Sequence, residues 1–141
     1  MKITKVPKRK PEVSAEVAQL VGRLAGAEDD AALAPMLEAV PQWVWPRGDL
    51  YTWVAVLNRF DGALARICRE TPLVPVQRAP FAAADRRLLL AVLDFSRLLL
   101  ENCTNRKLYA SYEHLDVLLA TDDAEVLEHL LLLLLRPAQQ H

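Results

Sequence analysis

Residues 82–102 read AAADRRLLLAVLDFSRLLLEN. Arg87, Asp94, Arg97 and Glu101 fall within about 80° of one another at ~100° per residue, and most of the other side chains are Leu, Ala, Val or Phe. The spacing predicts a helix with one narrow polar stripe. Such a helix is covered on most of its circumference, so it belongs among other helices.

The residues that follow have the same character. Across 111–120, Tyr112, Leu115, Leu118 and Leu119 share a helical face. Thr121, Asp122 and Asp123 make a tight corner. Asp122 is placed to cap the next helix, with Glu125 three residues on, in an acidic version of the capping box. Residues 123–135 are then apolar at Val126, Leu127, Leu130, Leu131 and on through Leu135, and Pro137 stops the run. Two helices joined by so short a corner, each apolar over much of its surface, cannot bury themselves alone. They need stacked neighbours, as in armadillo and HEAT solenoids.

Upstream, Val17, Leu20, Val21 and Leu24 recur at helical spacing after Ser14, a good N-cap, and Gly26 closes the pattern. A shorter helix is expected over 30–40, capped by Asp29 or Asp30. Pro35 lies inside it and implies a kink or a later start. Residues 50–70 carry a broad apolar face from Tyr51 to Cys68, with Asp49 as cap and Asn58 or Gly62 as points where the helix could divide. Pro72, Pro75 and Pro80 make 71–81 an extended connection.

Composition agrees with an all-α fold. The 141 residues include 26 Leu and 20 Ala against 13 Val and 2 Ile, and only 4 Gly. Leu and Ala lose little rotamer freedom in a helix, whereas β-branched residues lose more. The expected architecture is an armadillo- or HEAT-like helical solenoid of about six or seven helices. Residues 1–12 are expected to be a basic flexible arm, and 13–141 the N-terminal part of the helical domain. The apolar last helix leads us to expect that the chain was cut at 141 and that a further helix pair follows.

Net charge is −1, but its distribution is uneven. Lys2, Lys5, Lys8, Arg9 and Lys10 crowd the first ten residues, which hold no acid; the remainder carries 12 basic and 18 acidic side chains. Lys8, Arg9 and Lys10, between Pro7 and Pro11, form a candidate nuclear-import cluster. Such an arm could also touch RNA or an import receptor, although a few charges give a nucleic acid only salt-sensitive, non-specific affinity. No apolar signal segment follows the charged start. The longest apolar runs, 88–93 and 130–135, fall far short of the ~20 residues that span a bilayer. The expected location is nucleus and cytoplasm, with no membrane partner.

No constellation for chemistry stands out. Cys68 and Cys103 lie in apolar helical stretches and read as structural thiols. His114, His129 and His141 lack ligand spacing, so neither a metal nor another cofactor is expected. Arg47, Gly48 and Asp49 spell an adhesion tripeptide, but turn and helix cap explain them better. Trp43, Trp45, Tyr51 and Trp53 cluster within eleven residues. They form either a candidate partner surface or, the favoured reading, a ring cluster pinned against the core.

Three segments resemble a known family: MKITKVPKRKPEV at 1–13, WPRGDLYTWVAVLNRFD at 45–61, and LLLENCTNRKLYASYEHLDVLLATDDAEVLEHLLLLLLRPAQ at 98–139. They are similar to the extreme N-terminus of the giant HECT-type E3 ubiquitin-protein ligases, most closely the fungal members. NRFD, ENCTNRKLY and LLATDDAEVLE are the most specific parts, and the resemblance is weakest at 71–86. It implies an armadillo-like region that shapes the ligase and presents protein substrates. The resembled full-length proteins are ubiquitin transferases. Their catalytic cysteine lies in a C-terminal domain with no counterpart here, so no catalytic residue carries over. The rival reading is a stand-alone helical adaptor with a basic import or RNA-contacting arm.

Overall fold

The structure, a computed structural model, describes residues 15–40, 49–71, 80–103 and 118–134. The expected arm at 1–12, most of the connection at 71–81 and most of the helix at 111–120 lie outside them. The described residues contain five α-helices and no strand: α1 Ala15–Ala25, α2 Asp30–Glu38, α3 Val54–Glu70, α4 Ala83–Asn102 and α5 Ala124–Leu134. A 3-10 turn, Leu50–Trp53, leads into α3.

Each helix forms where the apolar period is clear. In α1, Val17, Leu20 and Leu24 are buried, and the Gly26 amide closes on the Gly22 carbonyl at 3.0 Å. A Cβ on Gly26 would itself lie 3.0 Å from that oxygen, so a small residue suits the exit. Asp29 caps α2, accepting from the Ala31 amide at 3.1 Å. Pro35 neither starts nor ends this helix, contrary to one expectation. Its ring nitrogen has no hydrogen for the Ala31 carbonyl, but burial of Leu33, Ala34 and Leu37 outweighs that single lost bond.

α3 runs unbroken through Asn58 and Gly62, so the anticipated division does not occur. Phe60, Ala63, Leu64 and Ile67 bury the inner face on both sides of Gly62, and one glycine costs only about 1 kcal/mol in a helix interior. α4 matches the expected span within one residue and buries Leu88, Leu89, Val92, Leu93, Phe95, Ser96, Leu99 and Leu100. Its polar stripe is laced by Arg97, which reaches Asp94 at 2.8 Å and Glu101 at 3.0 Å.

The cap of α5 is Asp123 rather than Asp122. Its Oδ1 accepts from the Glu125 amide at 3.1 Å and the Val126 amide at 3.2 Å, while Thr121 Oγ1 accepts from the Asp123 amide at 3.0 Å. The corner therefore turns on Thr121, and the capping role moves one residue on.

The helices pack mainly on their second neighbours. α1 lies on α3 and α2 on α4, while α1–α2 and α3–α4 touch more lightly; α4 also packs along α5. The start of α2 sits beside the start of α4, and Arg86 near the start of α4 reaches the start of α5. These three helices thus run side by side with their N-termini at one edge. α3 runs the other way, since Arg66 near its end meets Asp85 at the beginning of α4. One core joins them all, with Trp53, Phe60, Leu89, Leu93 and Leu99 fully buried.

Candidate interaction surfaces

The aromatic cluster is split by the fold. Asp49 caps the 3-10 turn, its Oδ1 accepting from the Tyr51 amide at 2.9 Å. That turn sends neighbouring rings in opposite directions: Tyr51 is 70% exposed and Trp53 is fully buried. Trp53 meets Phe95 edge to face with ring centres 5.7 Å apart, and Phe60 meets the same ring at 5.9 Å. Trp53 is therefore a core anchor joining the turn before α3 to α4. Tyr51 stands alone as a surface ring among the described members of the cluster. Trp43 and Trp45 lie outside the described residues, as do Lys8, Arg9 and Lys10.

The cysteines are placed as structural thiols. Cys103 is buried, and Cys68 is half-buried, where burial pushes its thiol up, away from the reactive thiolate. His129 turns its Nδ1 to the Glu125 carbonyl at 2.9 Å, one helical turn back. Among the described residues, no group of three or more His, Cys, Asp and Glu could hold a metal ion, and no helix is long and apolar enough to cross a membrane.

The most developed polar feature runs along the edge where α2, α4 and α5 begin. Asp30, the first residue of α2, receives Arg59 at 2.5 Å on one carboxylate oxygen and Arg66 Nε at 2.5 Å on the other. Arg66 continues to Asp85 of α4 at 2.8 Å and to Glu70 at 2.8 Å. Arg59 Nε also donates to the Ala27 carbonyl at 2.8 Å, tying the α1–α2 connection to α3. On α4, Arg86 spans Asp123 at 2.6 Å and Glu125 at 2.7 Å.

The electrostatics follow from this geometry. Partial burial by itself raises the Asp30 carboxyl, but hydrogen bonds from Arg66 and Arg59 outweigh it and hold the group below its ordinary value. The Arg86 hydrogen bond does the same for Asp123, against a smaller opposing effect of burial and with help from the Val126 amide. Parallel helices bring their positive N-terminal ends together. Carboxylates in the first turns offset those ends, and arginines then bridge the carboxylates. Arg59 and Arg66 are two turns apart on α3, and their partners Asp30 and Asp85 sit at helix starts, but no local spacing links the arginines to those acids.

A second surface is apolar. Leu131 is 38% and Leu132 51% exposed on the outer side of α5, and Leu119 just before the corner is 40% exposed. The same helix buries Val126, Leu130 and Leu133. It is thus apolar on both sides, as anticipated from its run of leucines.

Comparison with known proteins agrees with this picture. A family described as Domain of Unknown Function (DUF908) matches residues 84–141. E3 ubiquitin-protein ligase ptr1 of Schizosaccharomyces pombe is 46% identical over 99 residues, covering 70% of this chain and 3% of the relative. E3 ubiquitin-protein ligase HUWE1 of Mus musculus is 37% identical over 126 residues, covering 87% of this chain and 3% of the relative. E3 ubiquitin-protein ligase TOM1 of Saccharomyces cerevisiae is 32% identical over 118 residues, or 79% of this chain and 4% of the relative. The chain therefore spans only a few hundredths of the length of the curated relatives it matches. The segments that carry the resemblance, the DUF908 match and these similarities agree: the chain belongs to the N-terminal region of the giant HECT-type E3 ubiquitin-protein ligases.

Proposed function

We propose that this chain is a non-catalytic scaffold of a HECT-type E3 ubiquitin-protein ligase, an armadillo- or HEAT-like stack that helps present protein substrates. The observation that carries the reading is the packing of α1 on α3 and of α2 on α4, with lighter contacts between α1 and α2 and between α3 and α4. Two-layer helical stacks pack in this way. Leu131 and Leu132 on the outer side of α5 suit contact with the rest of such a ligase. The solenoid would act by raising the effective concentration of a bound substrate near a distant thioester, without taking part in the chemistry.

The test is a ligase lacking residues 15–134. Ubiquitin thioester formation on the catalytic cysteine should be unchanged, while ubiquitination of protein substrates should fall. Loss of the thioester, or full substrate modification, would overturn the reading. The basic cluster Lys8, Arg9 and Lys10 belongs to the same proposal as a nuclear-import signal. Replacing all three with Ala should shift a tagged chain from nucleus to cytoplasm, and unchanged distribution removes that role.

A further inference from the structure

We propose that α2 is a latched flap: a short helix held over α4 by arginine–carboxylate clasps at both ends, able to swing out while α3 and α4 stay folded. Three features of the helix converge on this. It is only 9 residues long, below the length at which a helix holds itself in water. Pro35 removes one of its few internal hydrogen bonds. It buries only Leu33, Ala34 and Leu37 fully, with Met36 partly buried beside them, whereas α4 buries eight residues.

The clasps supply what the helix lacks. At its start, Asp30 is gripped by Arg59 and Arg66, and Arg66 shares itself with Asp85 and Glu70. At its end, Glu38 pairs with Arg87 of α4. Every arginine in the clasps belongs to α3 or α4, so the latch and the flap are on different elements. The hinge is also marked: Arg59 Nε donates to the Ala27 carbonyl at 2.8 Å, just ahead of α2. Pairs of this kind are partly exposed and screened by salt, so they hold the flap without locking it. Opening would uncover Leu33 and Leu37 together with Leu88 and Phe95 of α4, which line the clefts at the two ends of α2.

Amide hydrogen exchange on the full chain, read by mass spectrometry or NMR, tests the flap. Amides of residues 36–39 should exchange at least about tenfold faster than those of residues 92–99, and faster still when sodium chloride is raised from low to molar concentration. Asp30→Asn and Glu38→Gln should each accelerate residues 36–39 several-fold further, with residues 92–99 remaining the slower set by at least about tenfold. The exchanged pair Glu38→Arg with Arg87→Glu should restore the rate seen in the parent. Equal exchange in α2 and α4 would overturn the proposal. So would a fast α2 that ignores both substitutions, or an Asp30→Asn chain that unfolds as a whole.

Discussion

Arg86 reaches Asp123 across 37 residues of chain, Nε to Oδ2 at 2.6 Å, and Asp123 is at the same time the cap of α5. One carboxylate thus ends the corner, satisfies two amides of the helix and joins that helix to α4. Asp123→Ala removes all three functions. A lost cap alone costs about 1 kcal/mol. The urea midpoint should fall accordingly, and Asp123→Asn, which keeps a capping oxygen, should recover most of the loss. Equal midpoints for the Ala variant and the parent would show that the cap carries no weight.

Acid should loosen the same edge. The folded-state carboxyls of Asp30 and Asp123 are both held below their ordinary value of 3.8 by arginine hydrogen bonds. A depressed group binds fewer protons folded than unfolded, so its stabilisation is complete above that ordinary value and drains away as pH falls through the lower folded value. Unfolding free energy from urea titrations should therefore hold between pH 7 and 5 as far as these groups are concerned, then drop below about pH 4. Asp30→Asn should flatten that drop while lowering stability at pH 7. An unchanged acid slope in this variant would show that Asp30 is not among the groups responsible.

The buried ring of Phe95 and the exposed ring of Tyr51 should behave in opposite ways. Phe95 makes edge-to-face pairs with both Trp53 and Phe60, and all three are buried. Phe95→Ala should cost roughly 3–5 kcal/mol, because three elements lose a shared contact and a cavity remains. Tyr51→Ala, at a ring that is 70% exposed, should stay within about 0.5 kcal/mol. Thermal unfolding of the two variants separates these outcomes, and similar losses would mean that Tyr51 also packs.

How far the residues announced this fold depends on distance along the chain. α4 was legible almost to the residue, because its apolar positions and four-residue polar stripe are a local pattern. Pro35, Asn58 and Gly62 misled for one reason: each is a local discouragement to helix, and burial of Leu33, Leu37, Phe60 and Leu64 overrides it only once the tertiary partners exist. Asp122 and Asp123 are equivalent as caps until Thr121 sets the corner. The arginine edge was not legible, since its bridges between helices join residues 19 to 39 apart and no short motif encodes them. Tyr51 departs from the favoured core reading of the ring cluster, whereas Trp53 keeps to it. Tyr51 and Trp53 are two residues apart in the 3-10 turn, so they point to different sides of it and only one of them can face inward.

Leu131 and Leu132 lie next to each other on α5, 38% and 51% exposed, with Leu130 and Leu133 fully buried beside them. Exposed leucines of this kind gain by association, at about 25 cal/mol for each Å² removed from water. The isolated chain should accordingly bind a hydrophobic dye or self-associate at high concentration, seen in sedimentation. Replacing Leu131 and Leu132 together with Gln should reduce both effects and leave the unfolding midpoint nearly unchanged, since neither side chain is in the core. A parent chain that stays monomeric and dark to the dye would show that these leucines need no cover. A double variant that unfolds would instead place them in the core of α5 rather than on its outer side.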